Sequence, residues 1–134
     1  MTVAVAHQVS PTSQEALRVS ALEASMRGTR LEVIHIVDSL DHDVAEANRA
    51  GISDAVEKVF TDNEIDGVEW GLHLVTANPD VAEAILGQIR AIGPDILVIG
   101  ARRRSPVGKA FMGSVAQTII LECDVPVLVV KASA

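Results

Sequence analysis

A chain of 134 residues, 49% of them hydrophobic and 22% charged, has the size of one domain and enough apolar side chains to bury a core, which excludes a disordered segment. Two Phe, one Trp and no Tyr leave the core to Ala, Val, Ile and Leu and provide no aromatic platform for stacking bases; with a net charge of −7 this argues against nucleic acid as a partner. Cys123, the single cysteine, permits no intrachain disulfide and reads as a buried thiol, while the missing leader pattern and the absence of any run long enough to cross a bilayer point to a cytoplasmic protein without membrane contact.

Val3-Ala4-Val5-Ala6 reads as a first strand, closed by Ser10-Pro11-Thr12-Ser13. The first helix follows, with a Thr12/Glu15 capping box, a shared apolar face of Leu17, Ala21 and Ala24, and Gly28 at its end. Leu31 to Val37 is a buried strand. A second helix over Val44 to Phe60 places Val44, Ala47, Gly51, Ala55, Val56 and Val59 on an apolar stripe and Glu46, Arg49, Asp54 and Glu57 opposite. Val68, Trp70, Leu72 and Leu74 alternate with Glu69, Gly71 and His73, the period of an outer strand. Asn78-Pro79 then predicts an N-cap and first-turn proline for a helix carrying Val81, Ala84, Ile85, Gln88, Ile89 and Ile92.

The run Ile96-Leu97-Val98-Ile99 is apolar at every position, as in a central parallel strand covered on both faces, and Gly100 is expected to end it. After a long loop, Gly113-Ser114 opens a helix to about Glu122 with Val115, Ala116, Ile119 and Ile120 inside, and Pro126 begins a last strand over Val125 to Val130. The alternation predicts a single α/β domain over residues 1–134: an open, doubly wound, five-stranded parallel sheet with helices on both faces.

The segment from Gly100 to Ser114 stands apart because it gathers Arg102, Arg103, Arg104 and Lys109 with Gly100, Gly108 and Gly113. Free N–H groups at a helix start attract an anion by roughly 0.3–1 kcal/mol, and partly buried cations add about 1.5–3 kcal/mol each. Ligands of open α/β sheets bind beyond the carboxyl ends of the strands, where this loop begins. Two readings stand, a phosphate cradle or a solvated basic loop whose glycines only turn the chain. It is not a Walker loop, because Ala110 follows Gly108-Lys109 and Arg103 occupies the first glycine position; a G-x-G-x-x-G motif is also missing.

Gly100, Gly113 and Ser114, with Arg104 to Met112 as the nine intervening residues, resemble the nucleotide-binding motif of the universal stress protein family. The resemblance extends to Ser10-Pro11-Thr12-Ser13 with Glu15-Ala16-Leu17, to Val33-Ile34-His35-Ile36-Val37, to Pro94 through Gly100, and to Gly113 through Val130. It implies an adenine nucleotide α-hydrolase-like fold, a non-catalytic stress-response role and a ligand such as ATP or another adenine nucleotide. The implied site is Gly100, Arg102, Gly113, Ser114 and Val115 around the phosphates and ribose, with Ile36 against the base. Two positions depart from the pattern. Gln8 stands where ATP-binding relatives carry an Asp, replacing a carboxylate with a neutral amide, and Arg103 replaces the second glycine, where it either supplies a guanidinium or fills the pocket. The alternative function is a nucleotide-free, dimeric interaction protein; a third reading, slow ATP hydrolysis, requires a metal and a placed water that no residue identifies.

His35 reads as structural, His73 as solvent-facing, and Asp41-His42-Asp43 as helix-capping, with no metal assigned. A phospho-receiver lacks its acidic pair at His7-Gln8-Val9, and a hydrolase its G-x-S-x-G. The apolar strand Val125 to Val130 would be an exposed edge in a monomer, so a homodimer through it is expected.

Overall fold

The computed structural model describes residues 2–7, 11–37, 41–76, 80–102 and 113–132. Their elements alternate as β1 (Thr2–His7), α1 (Pro11–Arg27), β2 (Arg30–Val37), α2 (His42–Asp62), β3 (Trp70–Thr76), α3 (Val81–Ile92), β4 (Ile96–Arg102), α4 (Ser114–Glu122) and β5 (Val127–Ala132). All strand pairings are parallel, in the order β3-β2-β1-β4-β5. The chain therefore winds outward from β1 to one edge, returns to β4 on its other side, and ends at the opposite edge.

Alternation along each strand feeds two cores. Val3, Val5, Leu31, Val33 and Val98 meet Ala16, Leu17, Ala21 and Ala24 of α1 and Ile52 and Val56 of α2. On the other face, Ala4, Ile34, Leu97 and Ile99 meet Ala82, Ile85 and Ile89 of α3 and Ile119 of α4. Gly28 closes α1 with φ 63°, its N–H donating to the Ser25 carbonyl at 3.2 Å. Gly93 closes α3 the same way, at φ 65° with its N–H 2.8 Å from the Ile89 carbonyl. A side chain at either glycine would strain the left-handed turn by about 1–2 kcal/mol.

Several expectations change. β4 does not stop at Gly100: residues 100–102 pair with Val130, Lys131 and Ala132, so the edge strand carries it two residues further. The α3 N-cap is Asp80, whose Oδ1 accepts the Glu83 N–H at 2.8 Å; Asn78 and Pro79 lie outside the described residues. In α2 the buried positions are Ile52 and Val56, whereas Val44, Ala47 and Gly51 are exposed. In α4 only Ile119 is buried, and Val115 and Ile120 face outward. Strand β3 begins at Trp70 and β5 at Val127, each two residues later than expected. Of the predicted Thr12/Glu15 box, the Thr12 side chain lies outside the described residues, and the Glu15 carboxylate accepts from Arg18 Nε at 3.2 Å. Cys123 caps α4 as a free, half-buried thiol.

Candidate functional site

The carboxyl ends of the strands are tied to different depths. The β1–β2 ladder runs through His7 opposite His35, and the β4–β5 ladder through Arg102 opposite Ala132. Between β1 and β4 the pairing ends earlier, at Val5 opposite Val98, although both strands continue. The two central strands thus part at their carboxyl ends, and this is also where strand order reverses. A crevice so placed is the position at which open α/β sheets receive ligands.

Its borders combine main chain and small side chains. On one side, Gly100 and the buried Ala101 continue β4 to Arg102. Gly113 is the N-cap of α4, with φ −63° and ψ 159°, and its carbonyl accepts from the Gln117 N–H at 3.0 Å. The first-turn N–H groups of α4 have no intrahelical acceptor, the arrangement that favours an anion at a helix start. Ser114 and Val115 on that turn are exposed. Among the described residues, a Cβ built on Gly113 meets no atom within 4 Å. On the other side, Ile36 is half-buried against the core under α3 and α4. The structure therefore describes Ile36, the backbone of Gly100 and Arg102, Gly113, Ser114 and Val115; Gln8, Arg103 and the Arg102 side chain lie outside the described residues.

The β1 side holds a pair the sequence reading treated separately. His7 and His35 are each 3% exposed, with ring centroids 5.3 Å apart and Nδ1 atoms 3.2 Å apart. Burial, reinforced by the charge on His35, lowers the His7 pKa to about 4. His35 Nδ1 lies 2.9 Å from the His7 carbonyl oxygen and its Nε2 3.2 Å from Asn48 Oδ1, so the predicted structural role has named partners. Adjacent strands bring the two histidines together, through a register that places His7 opposite His35.

His73 is not simply solvent-facing. It is half-buried and 2.7 Å from Glu32 Oε2, in a cluster that includes Arg30, away from the crevice at the β3 edge. Burial alone would raise the Glu32 carboxyl, but hydrogen bonds from Arg30 and His73 outweigh it and hold it below the usual range. Asp41 is the N-cap of α2 and Asp43 lies in its first turn, but the expected side-chain capping is not made by Asp41: its carbonyl accepts the Ala45 N–H at 2.9 Å and its side chain makes no cap hydrogen bond. Among the described residues, no group of three or more His, Cys, Asp or Glu is placed to hold a metal ion, and no helix is long and apolar enough to cross a membrane.

Residues 1–131 match the family model for the Universal stress protein family. A universal stress protein of Mycolicibacterium smegmatis is 34% identical over 129 residues, spanning 96% of each chain. The solved structure of a universal stress protein from Archaeoglobus fulgidus covers 98% of both chains at 32% identity and a TM-score of 0.79. A structure of the universal stress protein from Archaeoglobus fulgidus in complex with dAMP covers 98% of both at 26% identity and a TM-score of 0.72.

Proposed function

Because the chain belongs to the universal stress protein family, we propose that it is a non-catalytic, cytoplasmic stress-response protein that binds an adenine nucleotide where β1 and β4 part. The carrying observation is the early end of the β1–β4 ladder at the point where strand order reverses. The relative solved with dAMP supports an adenine nucleotide as the class of ligand. In this reading the Gly100, Gly113, Ser114 and Val115 main chain receives the phosphates, Arg102 and Arg103 supply positive charge, Gln8 accepts from the ribose or base, and Ile36 lies against the base. ATP is the first ligand to test.

Gly113→Val provides a probe because a Cβ there meets no atom of the described residues and the backbone φ is one that any residue adopts. Calorimetric titration with ATP and AMP is expected to show at least about tenfold weaker binding for the variant, equivalent to a loss of about 1.4 kcal/mol, with an unchanged circular-dichroism spectrum. Equal affinity in the variant would move the ligand elsewhere. Phosphate release from ATP above the buffer rate would overturn the non-catalytic half of the reading.

A homodimer through β5 completes the proposal. Among the described residues this strand pairs with β4 alone, its Val127, Leu128 and Val129 are half-buried, and Leu121 on the preceding helix is 83% exposed. Covering such an edge with a second copy removes unpaired backbone groups and apolar surface from water. Light scattering after gel filtration is expected to give twice the 14.2 kDa chain mass, and Val129→Lys to shift it to one chain mass. A monomeric wild type would sink this part while leaving nucleotide binding intact.

A further inference from the structure

Helix α2 ends by folding the chain back against its own last turn. The Ile65 N–H donates to the Phe60 carbonyl at 2.9 Å and the Glu64 N–H to the Thr61 carbonyl at 3.3 Å, with Glu64 in the left-handed conformation at φ 54°. The connection to β3 thereby borders an open groove of about 770 Å³, in which Glu57, Glu64 and Asp66 stand beside Phe60, Ile65 and Trp70. The groove lies where β3 begins, at the amino ends of the strands and thus at the other end of the sheet from the crevice.

Its lining is unlike the rest of the chain. The sequence holds two Phe, one Trp and no Tyr, and Phe60 and Trp70 both line this groove, each half-buried. The charges there are all negative: Glu57, Glu64 and Asp66 are exposed, and none enters an ion pair among the described residues. The neighbouring cations are already engaged. Lys58 reaches Asp62 at 2.7 Å, and Arg30, which lines an adjoining depression with Asp66, holds Glu32 at 2.8 Å and Glu69 at 3.2 Å. Aromatic faces flanked by carboxylates attract a cation and bury an apolar side chain beside it. Trp70 also opens β3, which among the described residues pairs with β2 alone and carries no Lys, Arg, Asp or Glu from Trp70 to Thr76. The outer main chain of such an edge accepts an extended segment as an added strand.

We propose that this groove docks an extended segment of a partner protein in which Lys or Arg alternates with large apolar side chains. The cations of the segment meet Glu57, Glu64 and Asp66, its apolar side chains meet Phe60 and Trp70, and its main chain continues along the edge of β3. The net charge of −7 draws such a segment in from a distance. Docking at this end of the sheet does not depend on a ligand in the crevice.

Trp70 is the single tryptophan and no tyrosine is present, so the intrinsic emission of the full-length protein reports on this groove. Titration with a short peptide alternating lysine and leucine is expected to change that emission saturably and to shift the amide signals of residues 64–70 in ¹H–¹⁵N spectra. Peptides with glutamate in place of lysine, or serine in place of leucine, are expected to bind at least about tenfold more weakly. Glu57→Gln combined with Asp66→Ser is expected to weaken the lysine–leucine peptide about fivefold, the scale of two exposed ion pairs. Glu46→Gln combined with Glu122→Gln removes the same charge from exposed positions elsewhere and is expected to leave the affinity unchanged. Circular dichroism checks that both double variants are folded. Absence of both the emission change and the amide shifts overturns the docking site, as do equal losses in the two double variants. Equal affinity for the serine peptide overturns it by leaving charge as the sole attraction, and equal affinity for the glutamate peptide by removing charge from it. An emission change on concentrating the protein without peptide assigns the groove to a second copy and overturns the partner segment.

Discussion

Leu97→Ala is expected to lower the stability of the fold by about 2–5 kcal/mol, read as a fall in the urea midpoint with the slope of the transition unchanged. Leu97 is fully buried near the start of β4, and its N–H donates to the Pro126 carbonyl at 2.9 Å. Its core partners are Ala4, Ile34, Ile99 and, from α3 and α4, Ala82, Ile85, Ile89 and Ile119. All of these are isoleucine or alanine, and neither type can swing into a cavity: χ1 is restricted in the first and missing in the second. The upper part of the range is therefore expected. Leu121→Ala, at a position 83% exposed, serves as the control and should stay within about 0.5 kcal/mol of wild type. A loss under about 1 kcal/mol for Leu97→Ala would mean that the core relaxes far more than its branched side chains allow.

Acid is expected to remove a comparable amount through one residue. His7 titrates at about 4 in the fold against 6.5 when free, so the folded state favours its neutral form. Above pH 6.5 both states are neutral there and the stability is fully present. As pH falls from 6.5 toward 4, the unfolded chain takes up a proton that the folded chain refuses, and stability drops by about 3 kcal/mol, with no further loss from this group below its folded pKa. Glu32, held low by Arg30 and His73, works in the same direction: its contribution is present above the ordinary carboxylate range and lost as acid protonates it. Urea midpoints across that interval measure the sum. His7→Val should flatten most of the decline, since the backbone carbonyl that accepts from His35 remains. A variant that loses stability as steeply as wild type would assign the acid response to other groups.

The alternation of elements was legible because each strand is a short, largely apolar run and each helix lies between turn signals. Leu97, Val98 and Ile99 are buried on both faces of the sheet, so their run of apolar residues could only be an inner strand. The end of that strand was not legible: Gly100 looks like a stop, but hydrogen bonding to β5 carries the ladder past it, and that neighbour is a tertiary fact. Helix α2 misled for a related reason. Its Val44, Ala47 and Gly51 keep helical spacing, yet the helix meets the sheet along Ile52 and Val56, and its first turns stay exposed. Gly113-Ser114 could be read as the opening of α4, and Gly113 is its N-cap. The His7–His35–Asn48 chain could not, because it depends on the register of two strands and the placement of a helix surface. The same holds for the pairing of Glu32 with His73 across β2 and β3.

The early end of the β1–β4 ladder divides the sheet into two halves that are joined by their backbones only below Val5 and Val98. Opening of such a seam exposes the amides beyond it without requiring the cores beneath α1 and α3 to melt. The overall stabilisation by any ligand is fixed by its concentration and affinity, but where that stabilisation appears is a matter of geometry. A molecule lodged in the seam spans both halves, so its occupancy should be recorded most strongly as slowed amide exchange in the last residues of β1 and of β4.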